Sequence, residues 1–75
     1  MKELIEYIAK SLVDDPSQVT VREVTGETSV IIELSVAPDD MGRVIGRNGK
    51  VANAMRTLLK VIAAKQGKRV NLEII

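Results

Sequence analysis

The segment that most constrains the fold is a four-residue loop with a glycine at each end, from Gly46 to Gly49. An apolar pair, Val44 and Ile45, comes directly before the loop, and a long helical pattern of apolar residues begins at Val51. Glycine at both ends lets the backbone of another molecule approach closely. The next helix points its free N–H groups and its positive dipole end towards the loop. The pattern predicts a tight, exposed connection between two helices.

Three basic residues accompany this loop: Arg43, Arg47 and Lys50. Positive charge beside free N–H groups favours a phosphate backbone as the ligand. A Gly-x-x-Gly segment is short, however, and an ordinary helix–turn–helix connection has the same pattern. The loop alone leaves both interpretations open.

The charge of the chain is divided between its two halves. Residues 1–40 contain three lysines and arginines against nine acidic residues, whereas residues 41–75 contain eight against one. The net charges are therefore −6 and +7, and the basic half contains the glycine loop. Such asymmetry is typical of a protein that binds a polyanion. A solvated helix face explains Lys65 and Lys68 equally well, but it explains the three cations around the loop less easily.

The first half of the chain predicts a helix and two strands. Apolar residues at helical spacing indicate a helix over residues 2–14, which Pro16 ends because the residue before proline leaves the helical region. A strand follows over residues 19–24, with a bulge expected at Glu23 where the alternation breaks. Strict alternation over residues 30–36 predicts a second, half-buried strand.

The second half predicts two helices and a last strand. Pro38 suits the first turn of a short helix, which stops at Gly46 and buries three apolar residues, Met41, Val44 and Ile45. The third helix reaches Gln66, with Gly67 as the residue that follows its C-cap. Its expected core stripe is Val51, Met55, Leu58, Leu59 and Ile62. Alternation at Val70, Leu72 and Ile74 predicts the final strand.

The resulting order, α-β-β-α-α-β with the glycine loop between the second and third helices, resembles a type II KH domain. The stretch from Met41 to Lys50 is the specific part of the resemblance, although many KH domains carry an isoleucine near Val51 and Ala52. The chain as a whole resembles the small, single-domain bacterial KH proteins of the KhpA type. The resemblance implies an α+β fold, with a three-stranded sheet packed against three helices, and one KH domain over residues 1–75.

A KH domain clamps about four nucleotides of single-stranded RNA with its GXXG loop. Carried onto this chain, the resemblance implies eight RNA-binding residues: Arg43, Ile45, Gly46, Arg47, Asn48, Gly49, Lys50 and Val51. Ile45 and Val51, with Val44 nearby, are expected to floor a cleft for bases. Lys50, Asn53, Arg56, Thr57 and Lys60 share the polar face of the third helix. Those side chains either extend the positively charged surface beyond the loop or form an ordinary solvated helix face.

A protein-interaction module is the competing function. Ala54, Val61 and Ala64 lie off the expected core stripe, and a small core is consistent with oligomerisation. By resemblance, the partners would be a second copy of the chain or a second KH-containing RNA-binding protein. With RNA as the main ligand, the expected role is a bacterial RNA-binding regulator of the RNA-chaperone kind.

Several other classes fit the sequence poorly. The chain has no histidine and no cysteine, which excludes Cys–His nucleophiles, imidazole bases, and thiolate or imidazole metal sites. Asp39 and Asp40 are expected to interact favourably with the positive end of the dipole of the short helix rather than to hold magnesium. We therefore predict neither an enzyme nor a cofactor, metal or small-molecule substrate.

Composition also separates the RNA-binding folds. An RRM stacks bases on aromatic side chains of its sheet, whereas Tyr7 is the only aromatic residue here and is expected as a partly buried residue on the first helix. No segment approaches the ~20 apolar residues of a membrane span. The expected location is the cytoplasm.

Overall fold

The computed structural model describes residues 1–75, and its element order is the predicted one. The main elements are helices α1 (Lys2–Leu12), α2 (Met41–Ile45) and α3 (Lys50–Lys65), and strands β1 (Thr20–Thr25), β2 (Ser29–Ser35) and β3 (Arg69–Ile74). Short 3-10 turns cover Pro16–Gln18 and Pro38–Asp40, and a tight turn with left-handed residues covers Arg47–Gly49. The fold is the α+β arrangement predicted for a type II KH domain. No helix combines the length and the apolar composition needed to cross a membrane.

The three strands form one sheet in the order β1-β2-β3. β1 and β2 are antiparallel, with Thr20 opposite Ser35 and Thr25 opposite Val30. β2 and β3 are parallel, so the chain between them crosses over through α2, the glycine loop and α3. This connection leaves β3 as an edge strand beside α3.

The core lies between the sheet and the three helices. β2 alternates as predicted, so that Val30, Ile32 and Leu34 are buried on the helix side. α1 contributes Ile5 and Ala9. α2 contributes Val44, and β3 contributes Leu72. Burial of these side chains removes apolar surface from water and holds the helices on one face of the sheet.

The buried stripe of α3 differs from the predicted one. It consists of Ala52, Met55, Leu59 and Ala63, whereas Leu58 is 47% exposed. Two of these four buried residues are alanines, whereas the predicted stripe contained none. The apolar periodicity alone did not separate this face from the adjacent one that carries Leu58.

Three further local predictions were wrong. α1 ends at Leu12 rather than at residue 14, since Val13 is already extended. β1 pairs with β2 over six consecutive residues without a bulge, and Glu23 faces the helices, where its Oε1 accepts the N–H of Lys2 at 3.0 Å. Tyr7 is 73% exposed rather than partly buried.

Candidate nucleic-acid interface

The glycine loop turns the chain sharply between α2 and α3. Gly46 ends α2 with φ 76° and ψ 173°, and its N–H donates to the carbonyl of Gly42 at 2.9 Å. Residues 47–49 then form a tight turn, closed by a hydrogen bond from the Gly49 N–H to the Gly46 carbonyl at 3.1 Å. Asn48 and Gly49 both adopt left-handed backbone angles, with φ of 57° and 75°. Asparagine and glycine are the residues that tolerate this conformation best.

The two glycines are needed for different physical reasons. A Cβ on Gly46 would lie 2.9 Å from the backbone nitrogen of Val51, closer than real Cβ contacts. A Cβ on Gly49 would meet only the Asn53 side chain, at 3.9 Å, so its positive φ is the sole constraint there. Gly46 therefore lets the loop pack against the start of α3, and Gly49 lets the chain enter that helix.

The positive charges of the loop lie at the N-terminus of α3. Arg47 and Lys50 are exposed, and neither forms an ion pair. No side chain caps α3, and its first turn contains no acidic residue. The positive end of the helix dipole and two unneutralised cations thus lie within the same short segment of the chain.

Arg43 differs from these two cations because it is already neutralised. Its Nη2 lies 3.0 Å from Asp14 Oδ2, and its Nε lies 3.5 Å from Asp40 Oδ1. A phosphate would have to compete with both carboxylates for this guanidinium.

Asp40 anchors α2, and therefore the loop, to the chain that follows α1. It is only 3% exposed. Its Oδ1 accepts the N–H of Asp14 and its Oδ2 accepts the N–H of Asp15, each at 3.1 Å. The predicted role at the helix dipole was incomplete, because this carboxylate satisfies two backbone donors that are distant in sequence.

The apolar residues predicted to floor a cleft separate into two groups. Ile45 is 37% exposed, so the prediction that the short helix buries it was wrong. Val51 is half-buried, and both side chains are therefore accessible beside the loop. Val44 is fully buried in the core and is not accessible to a base.

A groove that the sequence did not predict lies between α3 and the edge strand β3. Its cavity of about 310 Å³ is lined by Arg56, Leu59, Lys60, Val70, Asn71, Leu72 and Glu73. Arg56 crosses the groove, with Nη2 donating to the Leu72 carbonyl at 3.4 Å and Nη1 donating to Asn53 Oδ1 at 3.3 Å. The polar residues predicted on α3 indicated one side of this groove. Its other side is the edge strand β3, and that edge position follows from the strand order, which the sequence did not predict.

Comparison with known proteins assigns the family. The family model described as the KH domain of KhpA and KhpB matches residues 2–74. The chain belongs to the KhpA/KhpB KH-domain family. It is 61% identical over 75 residues to "RNA-binding protein KhpA" of Clostridium acetobutylicum, with both chains covered completely. The proteins of the same name from Clostridium perfringens and Aquifex aeolicus are 59% and 49% identical over the whole of this chain. The matched regions cover 100% and 95% of those two proteins. No solved structure matches.

Seen as a KH domain, the chain brings together most of the residues predicted for its site. Gly46, Arg47, Asn48, Gly49 and Lys50 form one exposed turn, with Ile45 and Val51 at its sides. Arg43 lies one helical turn before the loop and faces Asp14. The relatives are named as RNA-binding proteins and not as enzymes, which agrees with the predicted class.

Proposed function

We propose that the chain binds single-stranded RNA, as a small RNA-chaperone-like regulator, through the Gly46–Gly49 loop of a single KH domain. The observation that carries this proposal is the turn itself, where consecutive left-handed residues, Asn48 and Gly49, lead into the uncapped N-terminus of α3. Arg47 and Lys50 add charge at the same place. A phosphate in this position would accept hydrogen bonds from free backbone N–H groups. The helix dipole and the two cations would attract it as well.

The α3–β3 groove is the proposed place for the bases. It begins near the loop, since Arg56 is seven residues after Gly49 and so about 10 Å along the helix axis. Among its apolar lining residues, half-buried Val70 is the accessible one, since Leu59 and Leu72 are almost completely buried. The unpaired edge of β3 presents backbone groups. Bases lying there would contact Val70 and this edge, with Arg56 and Lys60 available to their phosphates. A sheet without aromatic residues requires this kind of contact instead of stacking on the sheet.

The decisive test reverses the charge of the loop without disturbing its backbone. In the double variant Arg47→Asp/Asn48→Asp, aspartate tolerates the left-handed angle of Asn48, while two carboxylates repel phosphate. We expect RNA binding in a gel-shift assay to be abolished and the far-UV circular dichroism spectrum to be retained.

The matched control is Lys10→Asp/Gln18→Asp. It makes the same change in net charge at exposed positions away from the loop, and it should bind RNA as the wild type does. A folded loop variant that still binds tightly would exclude the loop as the phosphate clamp.

A second function, protein pairing through α3, is favoured by a stripe of exposed small and apolar side chains. Ala54, Leu58 and Val61 recur at helical spacing, and Leu58 and Val61 are 47% and 54% exposed. We propose that this stripe pairs with a second copy of the chain or with another KH-containing RNA-binding protein. Two joined loops would then gain RNA affinity without new contacts.

Sedimentation equilibrium tests the pairing directly. We expect a concentration-dependent dimer in the micromolar range that Val61→Lys converts to a monomer. The control Val24→Lys places the same charge on a 45%-exposed valine of β1 and should leave the dimer intact. A wild type that stays monomeric at every concentration would exclude self-association.

A further inference from the structure

The α3–β3 groove has a second end, away from the loop, with its own positive charge. We call the space there, with a volume of about 360 Å³, the distal cavity. It is lined by Lys60, Ala63, Lys68, Arg69, Val70 and Asn71. Three of these six residues are cationic and none is acidic. None of the three cations forms an ion pair, so their charge is available to a ligand.

The C-terminus of α3 explains why the cations are brought to the groove. The N–H of Gly67 donates to the Ala64 carbonyl at 3.1 Å, and the N–H of Lys68 donates to the Ala63 carbonyl at 2.9 Å. These two bonds, with a φ of 68° at Gly67, end the helix in a Schellman turn. The chain then reverses directly into β3, which holds Lys68 half-buried beside the last turns of the helix.

The chemistry of the distal cavity suits one nucleotide. Half-buried Val70 gives it an accessible apolar surface beside buried Ala63, and the three cations line the same cavity. Its volume is within the range of pockets that hold small ligands. An anionic group carried on a flat or apolar body satisfies both features, and a nucleotide phosphate with its base is such a group.

The distal cavity is too far from the loop to bind the same phosphate. Lys60 is ten residues after Lys50, which corresponds to about 15 Å along the helix axis, and Lys68 lies beyond the end of α3, about 24 Å from its start. We propose that the distal cavity is a second phosphate-binding site, occupied by the RNA strand whose other phosphates the Gly46–Gly49 loop holds. This inference rests on the proposed RNA binding and extends its footprint along the whole groove.

RNA length separates the two sites experimentally. Fluorescence anisotropy would compare oligonucleotides of about four nucleotides, the length that a KH loop clamps, with oligonucleotides of about eight. We expect the wild type to bind the longer RNA at least about tenfold tighter, the effect of one charge-assisted hydrogen bond. Lys68→Glu should lose this gain while binding the short RNA as the wild type does.

Lys65→Glu is the matched control, because Lys65 lies at the same end of α3 but does not line the distal cavity. It should keep the length-dependent gain. If both variants lost the length-dependent gain equally, the gain would depend on the overall positive charge of the protein and not on the distal cavity, and the proposal would be overturned.

The remaining outcomes are also distinct. A wild type that binds both lengths equally would overturn the second site and leave RNA binding intact, whereas no binding at any length would refute the proposed function itself. A free nucleotide could supply the same phosphate and base, so the protein is also titrated with a nucleoside monophosphate. Saturable binding that depends on Lys68, without a gain from RNA length, would assign the cavity to a free nucleotide and contradict the RNA assignment.

Discussion

Replacement of the loop glycines by alanine should reveal which of them the fold requires. Gly46→Ala meets two obstacles: a positive φ of 76° and a Cβ placed 2.9 Å from the backbone nitrogen of Val51. Backbone strain costs about 1–3 kcal/mol, and overpacking costs about 1–3 kcal/mol more. We therefore expect the free energy of unfolding to fall by about 2–6 kcal/mol, a large part of the ~5–15 kcal/mol that stabilises a typical domain.

The other two glycines of this region provide graded controls. Gly49→Ala carries a positive φ but meets no close neighbour, so we expect a loss of about 1–2 kcal/mol. Gly42→Ala lies within α2 with open space around it, and alanine there should stabilise the protein by about 0.4–1 kcal/mol.

Urea unfolding followed by far-UV circular dichroism measures all three variants on one scale. The expected order of stability is Gly42→Ala, then Gly49→Ala, then Gly46→Ala. If Gly46→Ala were as stable as Gly49→Ala, the argument that Gly46 is needed for close packing against Val51 would be refuted.

Three further changes test the surroundings of the loop. Asp40→Asn leaves one part-buried backbone N–H without an acceptor, so urea unfolding should show a loss of about 1–3 kcal/mol, against less than about 0.5 kcal/mol for exposed Asp39→Asn. Lys50→Ala should reduce the slope of log affinity against log salt by about 0.7 if one phosphate contact is lost, and Lys2→Ala should leave this slope unchanged. Arg43→Ala should lower RNA affinity less than Lys50→Ala does, because two carboxylates already occupy its guanidinium; an equal loss would mean that RNA displaces them.

The elements were predictable wherever the sequence pattern depends on near neighbours. The alternation of Val30, Ile32 and Leu34 defines one buried face of β2. The end of α3 was predicted correctly from a single glycine, Gly67. The loop was recognisable for the same reason, since its two glycines and its cations are contiguous in the chain.

The remaining features depend on contacts between distant parts of the chain. The role of Asp40 requires the backbone of Asp14, 26 residues earlier, and a carboxylate after a proline is equally typical of a helix start. The groove depends on β3 being an edge strand, which follows from the sheet order alone. Ala52 and Ala63 are buried whereas Leu58 is exposed, because the position of α3 on the sheet decides which of two adjacent helix faces is covered, and periodicity does not encode that position.

Titration of the ¹⁵N-labelled protein with a short single-stranded RNA tests the central claim most directly. We expect the largest changes in amide chemical shift at residues 46–51, with further changes along the β3 edge at residues 70–72. The amides of α1 and of β1 should remain unperturbed. Changes centred on α1 or β1, with an unperturbed Gly46–Gly49 loop, would contradict RNA binding through this loop.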